Sequence, residues 1–275
     1  MRTVQGTLPA RKRGSPQRPP QEISTLFASR SAERTSSSWR ACRPRRCRFS
    51  ARVFQHQSAL FLSSLLVSEA EPVPWEERVR ELPAGYSFPG LRDLTVACGG
   101  RSWIGELTQT WPLVPNLERA AFRGRGIGLG GPLPAKLRAL SLAGSVLERD
   151  HLELLLDDFP ASLRELSLEL RGARFPAGVA AKFLRQPSCA GLEVLRLIHS
   201  ESTDELCRLV LEAPGLCRLR VLDLSRGSIT YRGAQFLLAN RALLEHLDAL
   251  VLGGGAVADA GLQRRLGEEL RNVVL

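Results

Sequence analysis

The stretch Leu219-Arg-Val-Leu-Asp-Leu-Ser-Arg-Gly-Ser-Ile-Thr-Tyr-Arg-Gly233 decides the fold. Leu219, Leu222 and Leu224 stand in the spacing L-x-x-L-x-L. Side chains alternate between the faces of a strand, so Leu222 and Leu224 point to one side and the residues around them to the other. The same order returns 28 residues later in Leu247-Asp-Ala-Leu-Val-Leu-Gly-Gly-Gly-Ala-Val-Ala-Asp-Ala-Gly261. Ile229 and Val257 each precede a glycine by four residues, and Leu237 and Leu266 follow.

Working upstream, the triplet recurs as Leu192/Leu195/Leu197, Leu163/Leu166/Leu168, Leu137/Leu140/Leu142, Leu117/Ala120/Phe122 and Leu91/Leu94/Val96. Successive first leucines are 26, 20, 26, 29, 27 and 28 residues apart. One short strand and one covering segment cannot enclose a hydrophobic interior, whereas seven stacked units share one column of anchors. Between strands, Arg232–Leu244 and Asp150–Phe159 carry apolar residues at helical spacing, the latter Leu152, Leu155, Leu156 and Phe159, and are predicted to cover that column.

A period of 20–29 residues with this signature resembles the leucine-rich-repeat family, most closely the helix-containing, ribonuclease-inhibitor-like type, over roughly residues 88–275. The resemblance implies an α/β solenoid, a horseshoe with a parallel concave sheet and helices or irregular segments on the convex side. The family's usual turn asparagine is replaced by Gly99, Arg125, Ser145, Arg171, Ser200, Gly227 and Gly255, so an asparagine ladder is not expected. In the second unit, Arg123-Gly-Arg-Gly-Ile-Gly-Leu-Gly-Gly-Pro132 stands where a helix would be and reads as an extended loop. The chain thus divides into an Arg/Ser/Pro-rich segment at 1–58, a linker and N-terminal cap at 59–90 containing a short helix at Trp75–Leu82, and the repeats at 91–275. Leu266–Leu275 is expected to shield the last unit.

The formal charge of +10 is unevenly placed. Residues 1–68 hold 13 Arg or Lys against Glu22 and Glu33, and the remainder is close to neutral. Residues 1–50 lack a sustained apolar period and are expected to be disordered. As a solvated tail, or a stretch read from an upstream start, they have no role. Alternatively they are an organelle leader, a nuclear address or a basic arm that neutralises nucleic-acid phosphates. The longest nearly unbroken apolar run, Ala59–Val67, falls short of the ~20 residues a membrane span requires. The six cysteines show no C-x-x-C pair and read as reduced thiols, with Cys207 and Cys217 at helix or core positions.

Chemistry-bearing motifs are sparse. The glycines of 124–131 lack a terminal Gly-Lys-Ser/Thr and the dinucleotide-binding spacing. His151, His199 and His246 fall in different units, and Cys189, His199, Cys207 and Cys217 lack the tight pairs of a zinc site. No enzyme activity, cofactor or metal is expected. What remains is the face opposite the anchors, where the intervening residues form three rows. The first is Asp93, Arg119, Ala139, Glu165, Val194, Val221, Ala249. The second is Thr95, Ala121, Ser141, Ser167, Arg196, Asp223, Val251. The third is Ala97, Arg123, Ala143, Glu169, Ile198, Ser225, Gly253. Neighbours in a row lie about 4.8 Å apart, so Asp93 is expected to pair with Arg119 and Arg196 with Asp223, leaving Arg123, Glu165 and Glu169 unpaired within their rows. These seven charged residues are the candidate protein-binding set of a monomeric, cytoplasmic, non-enzymatic scaffold or interaction module. The alternatives are a nucleic-acid-associated protein acting through residues 1–50, with a nuclear or organelle address, and a substrate adaptor of a ligase.

Overall fold

A computed structural model describes residues 61–69, 74–98, 103–144, 159–170, 177–213, 216–253, 257 and 259–275. The expectations for residues 1–58, for the helix at 150–158 and for the turns at Gly99, Ser145, Arg171 and Gly255 lie outside them. The strands are β1 (Ser64–Glu69), β2 (Asp93–Cys98), β3 (Trp103–Glu106), β4 (Arg119–Gly128), β5 (Ala139–Gly144), β6 (Glu165–Glu169), β7 (Val194–Ile198), β8 (Val221–Asp223), β9 (Ala249–Val251) and β10 (Val273–Val274). All pair in parallel, in the order β1-β2-β4-β5-β6-β7-β8-β9-β10, with β3 set aside against β4. The architecture is a leucine-rich-repeat solenoid, an α/β stack of strand-and-return units.

All 21 anchors of the seven triplets are at most 3% exposed. Helices α1 (Trp75–Arg80), α2 (Ala177–Leu184), α3 (Thr203–Glu212), α4 (Tyr231–Ala239) and α5 (Ala260–Glu269) cover the column. Successive helices pack on one another from α2 to α5. Their inward residues, among them Phe183, Leu206, Leu237 and Leu266, are nearly inaccessible. Thr230 caps α4 by accepting from the Arg232 N–H, and Asp259 caps α5 by accepting from the Leu262 N–H at 2.7 Å.

The stack is longer than seven units. The segment read as linker contains β1, whose Ser64 stands opposite Asp93, so Leu62, Leu65 and Val67 occupy the three anchor places of a further triplet. At the other end Val273 stands opposite Leu250, which makes Leu270, Val273 and Leu275 a last triplet. Asn272 Nδ2 donates to the Leu247 carbonyl and secures that coil. The C-terminal segment shields the core as expected, and does so partly by adding a strand.

Of the expected loop at 123–132, residues 123–128 are instead the second half of β4, and 129–132 are irregular. Gly126, at φ +54°, shifts the phase of the strand there, so that Phe122 is buried before it and Ile127 and Leu129 after it. The Trp103 ring of β3 lies against Gly126, where a Cβ would sit 1.9 Å from it, and the Glu106 and Thr108 side chains lie likewise against Gly128 and Gly130. The glycines therefore make room for an adjacent strand rather than for a phosphate. Aromatic side chains fill the core of this short unit. Trp111 meets Phe122 edge-on at 5.7 Å and donates its indole N–H to the Leu129 carbonyl at 2.8 Å, while Trp75 donates to Thr110 Oγ1 at 3.0 Å.

Without asparagine, one turn is joined by hydroxyls. Thr203, fully buried, donates to the Ser200 carbonyl at 2.9 Å and accepts from the Ser228 N–H of the next unit at 3.0 Å. Gly227 permits this approach, since a Cβ there would fall 2.2 Å from Thr203 Oγ1. Asp204 extends the joint by accepting from the Thr230 N–H at 2.8 Å.

Two stability predictions follow from this packing. Leu195→Ala, at a fully buried central anchor, is expected to cost about 2–5 kcal/mol in chemical denaturation. Thr203→Val keeps the shape but removes the hydroxyl's own hydrogen bond and one of the two acceptors of the Ser228 N–H, which also reaches the Ser200 carbonyl at 3.2 Å, and is expected to cost about 0.5–1.5 kcal/mol. A loss within error for either variant in urea denaturation contradicts the packing described.

Candidate functional site

The three rows assemble in the expected register. Asp93, Arg119, Ala139, Glu165, Val194, Val221 and Ala249 are successive Cα partners. So are Thr95, Ala121, Ser141, Ser167, Arg196, Asp223 and Val251. The third row is continuous from Ala97 through Arg123, Ala143 and Glu169 to Ile198. Register is tightly fixed because a slip of one residue would turn every buried leucine to solvent.

Arg119 Nε donates to Asp93 Oδ1 as expected. The hydrogen bond and charge of Asp93 together hold the Arg119 guanidinium above its ordinary pKa. The second expected pair does not form. Arg196 stands opposite Asp223, but its guanidinium reaches back to Glu165 Oε2 at 3.9 Å, while Asp223 Oδ1 accepts from the Ser225 N–H at 2.9 Å. The carboxylate at the end of β8 is thus engaged by the turn that follows it, and a long arginine side chain takes the carboxylate left exposed on the neighbouring strand, β6. Glu165, unpaired within its row, is therefore paired diagonally. Glu169 Oε1 lies 3.7 Å from His199 Nε2, whose backbone holds φ +62° at the strand end. Arg123 is exposed and has no ion-pair partner among the described residues.

Small side chains run down the middle of this face. Thr95, Ala121, Ser141 and Ser167 floor a groove of about 490 Å³ that Asp93, Arg119 and Glu165 wall on one side and Arg196 closes. A larger hollow of about 640 Å³ opens beside Arg241, Glu269 and Arg271, next to β9 and β10. An apolar hollow of about 410 Å³ lies below the strands between Val210, Cys217, Leu243 and His246. Sequence reading missed a further row at the N-terminal rim, where Arg92 meets Glu118 at 3.5 Å and Arg220 meets Asp248 at 2.7 Å. Its signal is the charged residue directly after each triplet's first leucine. Trp103 on β3, 53% exposed beside Arg125, was also missed, because it belongs to no triplet.

Cys98, Cys189 and Cys207 are buried cysteines, and Cys217 is exposed in a one-turn helix. Burial pushes the Cys189 and Cys207 thiols up to about 12, aided at Cys207 by the charge of Asp204. Cys189 donates its S–H to the Phe183 carbonyl at 3.1 Å. Among the described residues no group of three or more His, Cys, Asp or Glu is placed to hold a metal ion. Among them, too, no helix is long and apolar enough to cross a membrane.

No protein-family model matches the sequence, and no curated protein matches it. A protein of solved structure from Bacteroides fragilis superposes over 82% of this chain and 68% of its own length, with a TM-score of 0.69 at 16% sequence identity, a likeness of fold. An internalin from Listeria monocytogenes overlaps 70% of this chain and 59% of its own at 14% identity and a TM-score of 0.39, too slight a likeness to define a shared architecture.

In a Cys42→Ser/Cys47→Ser background, native protein at pH 8 is expected to titrate one thiol, Cys217, with a disulfide reagent, and all four after unfolding. Because the native pKa values of Cys189 and Cys207 are raised, the stability they confer is present below the unfolded value near 9 and is lost as pH rises from 9 toward 12. Rapid native labelling of Cys189 or Cys207 contradicts their burial.

Proposed function

We propose that this chain is a non-enzymatic module that recognises another protein through the concave face of its sheet. One observation carries the reading: the fixed register lays small residues in a continuous groove and sets charges of both signs along its edges. On that face Arg119, Arg123 and Arg196 are balanced by Asp93, Glu165, Glu169 and Asp223, which suits a protein surface better than a polyanion. The basic clusters of residues 1–50 have no counterpart there, so a nucleic-acid role would rest on that segment alone. Among solenoids, a long curved face with few assembled reactive groups serves binding.

The helices after β7, β8 and β9 support the longer, ribonuclease-inhibitor-like type of repeat. Free thiols at Cys189, Cys207 and Cys217 support a reducing compartment, and we read it as the cytoplasm. Whether the module acts as a scaffold or as the substrate adaptor of an enzyme depends on its partner.

A photo-crosslinking residue placed at Ser141, mid-groove, is expected to trap one discrete partner protein from cells that express this chain. The same probe at Arg232, exposed on α4, is expected to trap none. Combined reversal of Arg123, Glu165 and Arg196 should abolish the Ser141 adduct. An adduct from Arg232 alone, or a Ser141 adduct that survives the reversal, contradicts the assignment.

A further inference from the structure

The register of the three central strands places a lane of small side chains between two flanks of opposite charge. Ala139, Ser141 and Ala143 of β5 stand between Arg119, Ala121 and Arg123 of β4 and Glu165, Ser167 and Glu169 of β6. Each cross-strand line at the ends of this patch therefore reads Arg, Ala, Glu, and the middle one reads Ala, Ser, Ser. We infer that the concave face takes a helix of the partner protein, laid along β5, with carboxylates on the flank facing β4 and cations on the flank facing β6. This rests on the concave-face reading above and specifies what that face recognises.

Three features carry it. The flanks are two strand spacings apart, roughly 9.6 Å, close to the ~10 Å width of a helix with short side chains on its underside. A single extended strand fills about half that width and leaves one flank without a partner. The lane's alanines and serine let a helix backbone approach closely, while longer residues in the lane would hold it off.

The second feature is length. Arg119 and Arg123, like Glu165 and Glu169, are four residues apart on a strand, roughly 13 Å. A helix covers that distance in about nine residues, so acidic positions seven or eight apart on one flank, matched by basic ones on the other, meet both ends of the patch.

The third is charge. Three of the four flank residues are held from outside the lane, Arg119 by Asp93, Glu165 by Arg196 and Glu169 by His199. Arg123 has no ion-pair partner among the described residues and is the open anchor. A polyanion laid here meets Glu165 and Glu169, and a polycation meets Arg119 and Arg123, so segregated flanks are the arrangement that leaves no like charges opposed. Turning the helix end for end exchanges its flanks, so the patch also sets its direction.

The test uses the full chain and stapled alanine-based helical peptides of roughly five turns. One peptide carries Glu along one flank and Lys along the other, and a second has the same composition with both charges mixed on each flank. All-Glu and all-Lys peptides complete the set, and fluorescence anisotropy at low salt reads affinity. The segregated peptide is expected to bind about tenfold tighter than the mixed one, a margin of the size that a few interfacial charge pairs supply. Arg123→Glu and Glu169→Arg, each confirmed folded by circular dichroism, are each expected to cost most of that margin. Together they give each flank one charge of each sign, so they should restore it for a peptide whose Glu and Lys flanks exchange sides at its midpoint and not for the uniformly segregated peptide. Equal affinity for all peptides, tighter binding of the all-Lys or all-Glu peptide, no binding of any peptide, or no rescue in the double variant overturns the inference. If the Ser141 adduct with the natural partner persists under those results, the concave-face reading stands and the helix assignment alone falls.

Discussion

No unit of this chain can bury its own leucines. A strand with one return segment has a single apolar side and no opposing layer, so each triplet is sheltered only by its neighbours. Every other feature follows from that dependence. Because anchors must meet anchors, the strands run parallel and in a single register, and the residues between the anchors are carried into rows on the far face. The rows are a by-product of the core, yet they are the surface that the protein offers to others.

The dependence also explains both ends of the stack. Among the described residues the outermost units have a strand neighbour on one side only. The chain answers with strands that keep the anchor spacing while loosening its composition: Leu62, Leu65 and Val67 at the front, Leu270, Val273 and Leu275 at the back. The short second unit meets a related problem, since 20 residues leave no room for a helix. Phe122, Ile127 and Leu129 fill the space together with Trp111 of the preceding unit, whose β3 lies over a strip of glycines.

The seven central strands and their rows were legible because leucine spacing records both the two-residue period of a strand and the length of each coil. Pairing of Asp93 with Arg119 was legible for the same reason, being a consequence of adjacency in a row. The terminal strands escaped because Ser63 and Ser64 disguise one triplet as a plain apolar run and because valines stand for leucines in both. The glycine stretch misled, since alternation of Gly with Ile127 and Leu129 is a strand signal only when something is known to lie across it. Arg196 escaped for a different reason: backbone register places a side chain's root, whereas a flexible arginine chooses among the carboxylates within reach. Neither the free arm of Arg123 nor the lane along β5 is visible in any single repeat, because both arise from lining up three of them.

The register itself is open to direct measurement. Spin labels at Thr95 and Val251, members of one row separated by six strand steps, are expected to give one narrow distance near 25–30 Å, set by about 4.8 Å per step along a curved sheet. Cys42, Cys47 and Cys217 are replaced by serine for this purpose, and the distance is read by pulsed electron resonance. A broad distribution, or a principal distance well beyond about 40 Å, six steps at that spacing being too short to reach it, would mean that the strands do not form one continuous sheet and that the binding face does not exist.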